Sequence, residues 1–118
     1  MINQILIWIA MSLIQQLKAL ADENRLKIIQ MLLNGDLCVG ALAQHLCISK
    51  PAVSQHLRVL REAGLVKGEK RGYWTHYVVE RESMRRIAER LQAMSANGRS
   101  NQTYCWRISD SPPENHQE

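Results

Sequence analysis

The chain has 118 residues, of which 46% are apolar and 22% charged, with a formal net charge of +4. That length holds one modest core and excludes two catalytic lobes, and the composition excludes a disordered, collagen-like or repeat-built chain. Cys38, Cys47 and Cys105 form no CxC or CxxC and cannot all pair within one chain. A secreted disulfide scaffold is therefore not expected, and a reducing cytoplasm is the natural compartment.

The first predicted element is a helix with Ile2, Ile5, Leu6, Ile9, Leu13, Leu17 and Leu20 at helical spacing, while Ile7, Trp8 and Met11 add a second apolar face. A helix apolar on two faces needs two partners, its own core and a second protomer. Its longest apolar run, Ile5 to Ile14, falls short of the ~20 residues of a membrane span. No Lys or Arg precedes that run, as a signal peptide would require, and Ala19-Leu20-Ala21 is the only feature resembling a cleavage site. No membrane partner is expected.

Asp22 reads as the N-cap of a second helix with Leu26, Ile29 and Leu33 on one face and Asn34-Gly35 as its stop. From Asp36 a short helix carries Val39, Leu42, Ala43 and Leu46. Only Cys47-Ile48 separates it from Ser49, the next N-cap, with Pro51 in the first turn, a core stripe of Val53, Leu57 and Leu60, and Gly64 at the end. A short helix, a tight turn and a longer helix is the spacing of a helix-turn-helix. A hairpin follows: Leu65-Val66-Lys67, a basic turn at Lys70-Arg71-Gly72, and a strand from Tyr73 to Val79. A last helix is predicted from Ser83 to Met94, with Met84, Ile87, Leu91 and Met94 on one face. The predicted class is mainly α with a small β-hairpin. One domain covers residues 1–94, and a loose polar tail covers 95–118.

Charge is concentrated in the middle. Ser49 to Met94 carries ten bases and five acids, whereas Met1 to Ile48 balances at three and three. That is the electrostatic footprint expected on a polyanion. On the Ser49 to Gly64 helix, burying Val53, Leu57 and Leu60 turns Pro51, Ser54, Gln55, Arg58 and Glu62 outward, with Lys50, His56 and Arg61 on the flanks. Gln and Arg can pair bidentately with A and G edges, and Ser keeps the backbone close to phosphate. The rival account is an ordinary solvated helix face, against which stand Lys70 and Arg71 on the hairpin turn directly downstream.

From Lys18 to Val79, the segments ALADENRLKIIQMLLNGDLCV, SKPAVSQHLRVLREAGLV and GYWTHYVV resemble the winged helix-turn-helix of the ArsR/SmtB family of metal-responsive repressors. The resemblance implies a homodimer on a double-stranded operator of inverted symmetry, released by an inducer. Its reader would be the Ser49 helix, with Ser49, Lys50, Ser54, Gln55, His56, Arg58 and Arg61, and its wing would bring Lys70 and Arg71. The first and last helices would form the dimer interface, with Ile5, Ile7, Trp8, Ile87 and Leu91.

The sensing site departs from the family. Where the arsenic-responsive branch reads L-C-V-C-D-L-C, this chain has Leu37-Cys38-Val39-Gly40-Ala41-Leu42-Ala43, a single thiol. The Asp and His pairs of the zinc- or nickel-sensing branch have no counterpart from Ser83 to Met94. A thiolate-bound metal or metalloid inducer would need Cys38 together with a distant thiol, Cys105 or Cys47, with His116 a remote addition. The alternatives are a thiol redox or persulfide sensor of the same fold, or a winged-helix module that docks protein. The bland account of Cys38 is a small buried hydrophobe, that of Cys47 a chance occupant of a turn, and that of Cys105 part of a packing patch with Tyr104 and Trp106. His76 alternates with Trp74 and Val78 and is expected to be a satisfied, half-buried imidazole, and His45 suits a helix C-terminus. No nucleophilic triad, phosphate loop or HxxxH pair is present, so an enzyme is not expected.

Overall fold

The computed structural model describes residues 13–98. Residues 13–20 are helical (α1). There follow α2 (Glu23–Asn34), β1 (Leu37–Cys38), α3 (Val39–Leu46), α4 (Lys50–Glu62), β2 (Val66–Arg71), β3 (Trp74–Val79) and α5 (Arg81–Ala96). The architecture is mainly helical with a small antiparallel sheet ordered β1-β3-β2.

Both predicted N-caps are in place. The Asp22 carboxylate accepts from the Arg25 backbone N–H at 3.1 Å, and Ser49 Oγ accepts from that of Ala52 at 3.2 Å. Each satisfies an amide that the first helical turn leaves without a partner. The α4 stripe of Val53, Leu57 and Leu60 is fully buried with Leu42 of α3, Ile28, Ile29 and Leu32 of α2, and Leu65 and Val66 after α4. At α4's end, Gly64 takes a left-handed φ of 76° and Gln16 Nε2 of α1 donates to the Ala63 carbonyl at 3.0 Å. The chain can therefore turn directly from α4 into β2.

Four expectations need correcting. The buried face of α2 is Ile28, Ile29 and Leu32, whereas Leu26 is exposed and Leu33 only partly buried. With apolar residues on several sides of that helix, periodicity alone could not choose the face. Second, Asp36 does not open a helix: Leu37 and Cys38 form β1, pairing with Tyr77 and His76 of β3. A two-residue strand has no period to read. Third, the hairpin turn is Gly72–Tyr73, since β2 runs through Arg71 and pairs Arg71 with Trp74. Gly72 has φ 67° and Tyr73 no positive φ, the pattern of a type II′ turn. Fourth, α5 is longer than expected, starting at Arg81, whose guanidinium donates to the Leu33 carbonyl at 2.9 Å.

Candidate nucleic-acid interface

Cys47 takes the left-handed conformation, φ 58° and ψ 40°, and turns the chain between α3 and α4. Glycine is the usual occupant of such a position because a Cβ there is strained. The turn sets α4 against α3 and leaves Ser49, Lys50, Ser54, Gln55, Arg58 and Arg61 exposed together on one side of the molecule. This is the polar, donor-rich face expected of a helix that enters a major groove. Arg58 Nε is held by Glu62 at 3.1 Å, a solvent-exposed pair one turn apart. Such pairs contribute little, so the guanidinium is held only weakly.

His56 does not join that face. It is half-buried with its Nδ1 3.3 Å from Arg25 Nη1 and 3.9 Å from Asp22 Oδ2, while Arg25 Nε donates to the Ala19 carbonyl at 2.6 Å. The imidazole thus ties α4 to the start of α2 and, through Arg25, to the end of α1. The Asp22 carboxyl lies below the usual carboxylate range, chiefly through the Arg25 backbone N–H and further through the Arg25 and His56 charges, with partial burial opposing.

The wing also differs from a basic tip. Arg71 Nη2 lies 2.7 Å from both Asp36 Oδ2 and Glu69 Oε1, and Lys67 lies 3.7 Å from Glu69. The hydrogen bonds to Glu69 and Asp36 raise the Arg71 pKa further above its ordinary value. Two bases and two acids cancel there, leaving Lys70 as the hairpin cation without a carboxylate partner among the described residues. Nothing in the sequence pointed to this cluster, because it depends on the register of β2 and on a residue 35 positions away.

Cys38 is half-buried at the end of β1, directly across from His76, and Cys47 is exposed. His76 is half-buried as expected, but its Nδ1 is enclosed without a hydrogen-bond partner. Among the described residues no group of three or more His, Cys, Asp or Glu side chains could hold a metal ion. Cys105 and His116 lie outside the described residues, as do Ile5, Ile7 and Trp8. Ile87, expected in a dimer interface, is 5% exposed within its own protomer, whereas Leu91 and Met94 one and two turns later are 42% and 63% exposed. The first half of α5 completes the core and the second half projects beyond it. No described helix is long and apolar enough to cross a membrane.

A helix-turn-helix with an exposed reader and a β-hairpin wing defines the winged-helix class of DNA-binding regulators. The model of the bacterial regulatory protein arsR family matches residues 22–67, from the cap of α2 into β2. The arsenical resistance operon repressor of Escherichia coli K12 is 49% identical over 65 residues, covering 54% of this chain and 56% of the repressor, so the chain spans about half of that relative. The transcriptional activator HlyU of Vibrio cholerae is 40% identical over 78 residues, covering 66% of this chain and 72% of HlyU. The structure of reduced HlyU superposes with a TM-score of 0.62 at 34% identity, over 80% of this chain and 99% of that one. A homodimeric winged helix-turn-helix DNA-binding domain from Mycobacterium bovis gives 0.63 at 26% identity, over 74% and 81%. The chain belongs to the ArsR family of DNA-binding transcriptional regulators, a family of regulators and not of enzymes.

Proposed function

We propose that two copies of this chain bind an inverted-repeat operator in the cytoplasm and repress transcription until an inducer releases them. The observation that carries this reading is the exposure of Ser54, Gln55, Arg58 and Arg61 on one face of α4 while its opposite stripe is fully buried. Pairing of two copies is supported by Leu91 and Met94, exposed on the projecting end of α5, and by the homodimeric relative. A groove of about 1040 Å3 lies between α1, the end of α4 and α5, with Ile14, Val59 and Ala63 alongside Lys18, Glu62 and Arg86 in its walls.

The relatives include a repressor and an activator, so the direction of regulation rests on the higher identity to the repressor. For the inducer, a thiophilic metal or metalloid held by Cys38 and Cys105 is the leading reading. Any such inducer must bind the DNA-incompetent form better than the competent one. A thiol redox signal is the second reading, favoured by the half-buried Cys38 and by a relative whose structure is described as reduced. The test of operator binding is a gel shift of the full chain on the DNA upstream of its own coding region. Combined Lys50→Ala, Arg58→Ala and Arg61→Ala substitution is expected to abolish the shift, and an unchanged shift would refute the α4 interface.

A further inference from the structure

The wing ends in an aromatic residue instead of a cation. Tyr73, at the turn, is 96% exposed and Trp74 beside it 65% exposed, in a chain with only six aromatic residues. Two neighbouring rings this open at one hairpin tip are apolar surface available to a partner. The hairpin beneath it is well braced. β2 and β3 pair in register from Val66–Val79 to Arg71–Trp74, and Gly68 has no side chain where the Tyr77 ring lies, 3.4 Å from the position a Cβ would take. Arg71 is clamped by Asp36 from the segment before β1 and by Glu69 from its own strand. A braced tip presents its ring in one place and loses little entropy when the ring is covered.

The same clamp balances Arg71 and Lys67 with Asp36 and Glu69, so that among the described residues Lys70 is left as the hairpin cation without a carboxylate partner. An electrostatic grip on phosphate by this wing would therefore rest on Lys70 alone. Resting on the DNA-binding reading above, we propose that Tyr73 is the wing's DNA contact, its ring entering the minor groove beside the site that α4 reads. A tyrosine suits that groove: its ring faces pack on sugars and partly unstacked bases, and its hydroxyl can donate to the N3 and O2 acceptors that line the floor. Apolar wedges in minor grooves favour easily opened pyrimidine–purine steps, so Tyr73 adds sequence preference at positions that α4 does not touch. No phosphate is neutralised and no counterion released, so the contribution is insensitive to salt.

The experiment uses the full chain and the duplex that it enriches from a random-sequence pool. Affinity is measured by fluorescence anisotropy across a range of salt, and contacts are mapped by hydroxyl-radical and dimethyl-sulfate footprinting. Tyr73→Ala and Tyr73→Asn are each expected to weaken binding about 5- to 30-fold with an unchanged salt slope, within the range found for aromatic–base contacts. Minor-groove protection flanking the α4 site is expected to vanish while major-groove protection stays. Tyr73→Phe is expected to keep affinity within about threefold, since the ring carries most of the contact. Asn suits a turn, so two variants guard against a local folding fault. Wild-type affinity and intact flanking protection in both would overturn the role of Tyr73 and leave the DNA-binding reading standing. Enrichment of no duplex by the unaltered chain would overturn both.

Discussion

Arg58 and Glu62 make opposite predictions on the same helix face. Their pair, at 3.1 Å, is exposed at both ends, so the free protein gains only ~0.3–0.5 kcal/mol from it. A bidentate contact from Arg58 to a base is worth ~1–3 kcal/mol. The difference leaves a net of roughly 0.5–2.7 kcal/mol for exchanging the carboxylate for a base, so Arg58→Ala should weaken operator binding by about 2- to 100-fold. Glu62→Gln should do the reverse, because it frees Arg58 and removes an anion beside the phosphates; the expected gain is about twofold. Anisotropy titrations of both variants at one fixed salt concentration provide the assay, and urea denaturation should find stability changed by less than ~0.5 kcal/mol in each. Arg58→Ala and Glu62→Gln shifting affinity in the same direction, or neither shifting it, would refute this reasoning.

Asp22→Ala should cost about 1 kcal/mol of stability through loss of the α2 cap. Because the folded carboxyl titrates below its unfolded value near ~3.9, its contribution is present above that pH and is lost as pH falls through the folded value. Denaturation midpoints of wild type and Asp22→Ala should therefore converge in acid. At the left-handed turn, Cys47→Gly should stabilise by about 0.5–1 kcal/mol and Cys47→Val should destabilise, as read by thermal melts. If sensing bridges Cys38 and Cys105, Cys38→Ser and Cys105→Ser should lose inducer-driven release from DNA equally while Cys47→Ser responds normally, and release kept in Cys105→Ser would remove that thiol from the mechanism. Replacing Leu91 and Met94 with Asp should shift sedimentation toward monomer and weaken operator binding, since an inverted repeat needs two linked readers.

The sequence made the helix-turn-helix legible because its signals are local and redundant. Asp22 and Ser49 cap what they were expected to cap, Val53, Leu57 and Leu60 are buried, and Gly64 supplies the positive φ that ends the reader. What escaped depends on contacts between distant segments. β1 is two residues long and exists only because β3 passes beside it. The neutralised Arg71 depends on Asp36, on the far side of two helices in the chain, and His56 is drawn inward by Arg25 and Asp22 of another helix. The apolar stripe on α5 was legible as a stripe, but how far the protomer's own core extends along it decides that Ile87 is buried and Leu91 is exposed.

On the proposed reading, the exposed face of α4 meets double-stranded DNA as one of a symmetric pair. Selection from a random duplex pool by the full chain, followed by measurement of protomers bound per duplex, tests it most directly. Enriched inverted repeats are expected, with half-site centres about one helical turn apart, ~10 base pairs or a multiple, and two protomers on each. Enrichment of no sequence, or of single half-sites bound by one protomer with full affinity, would contradict it.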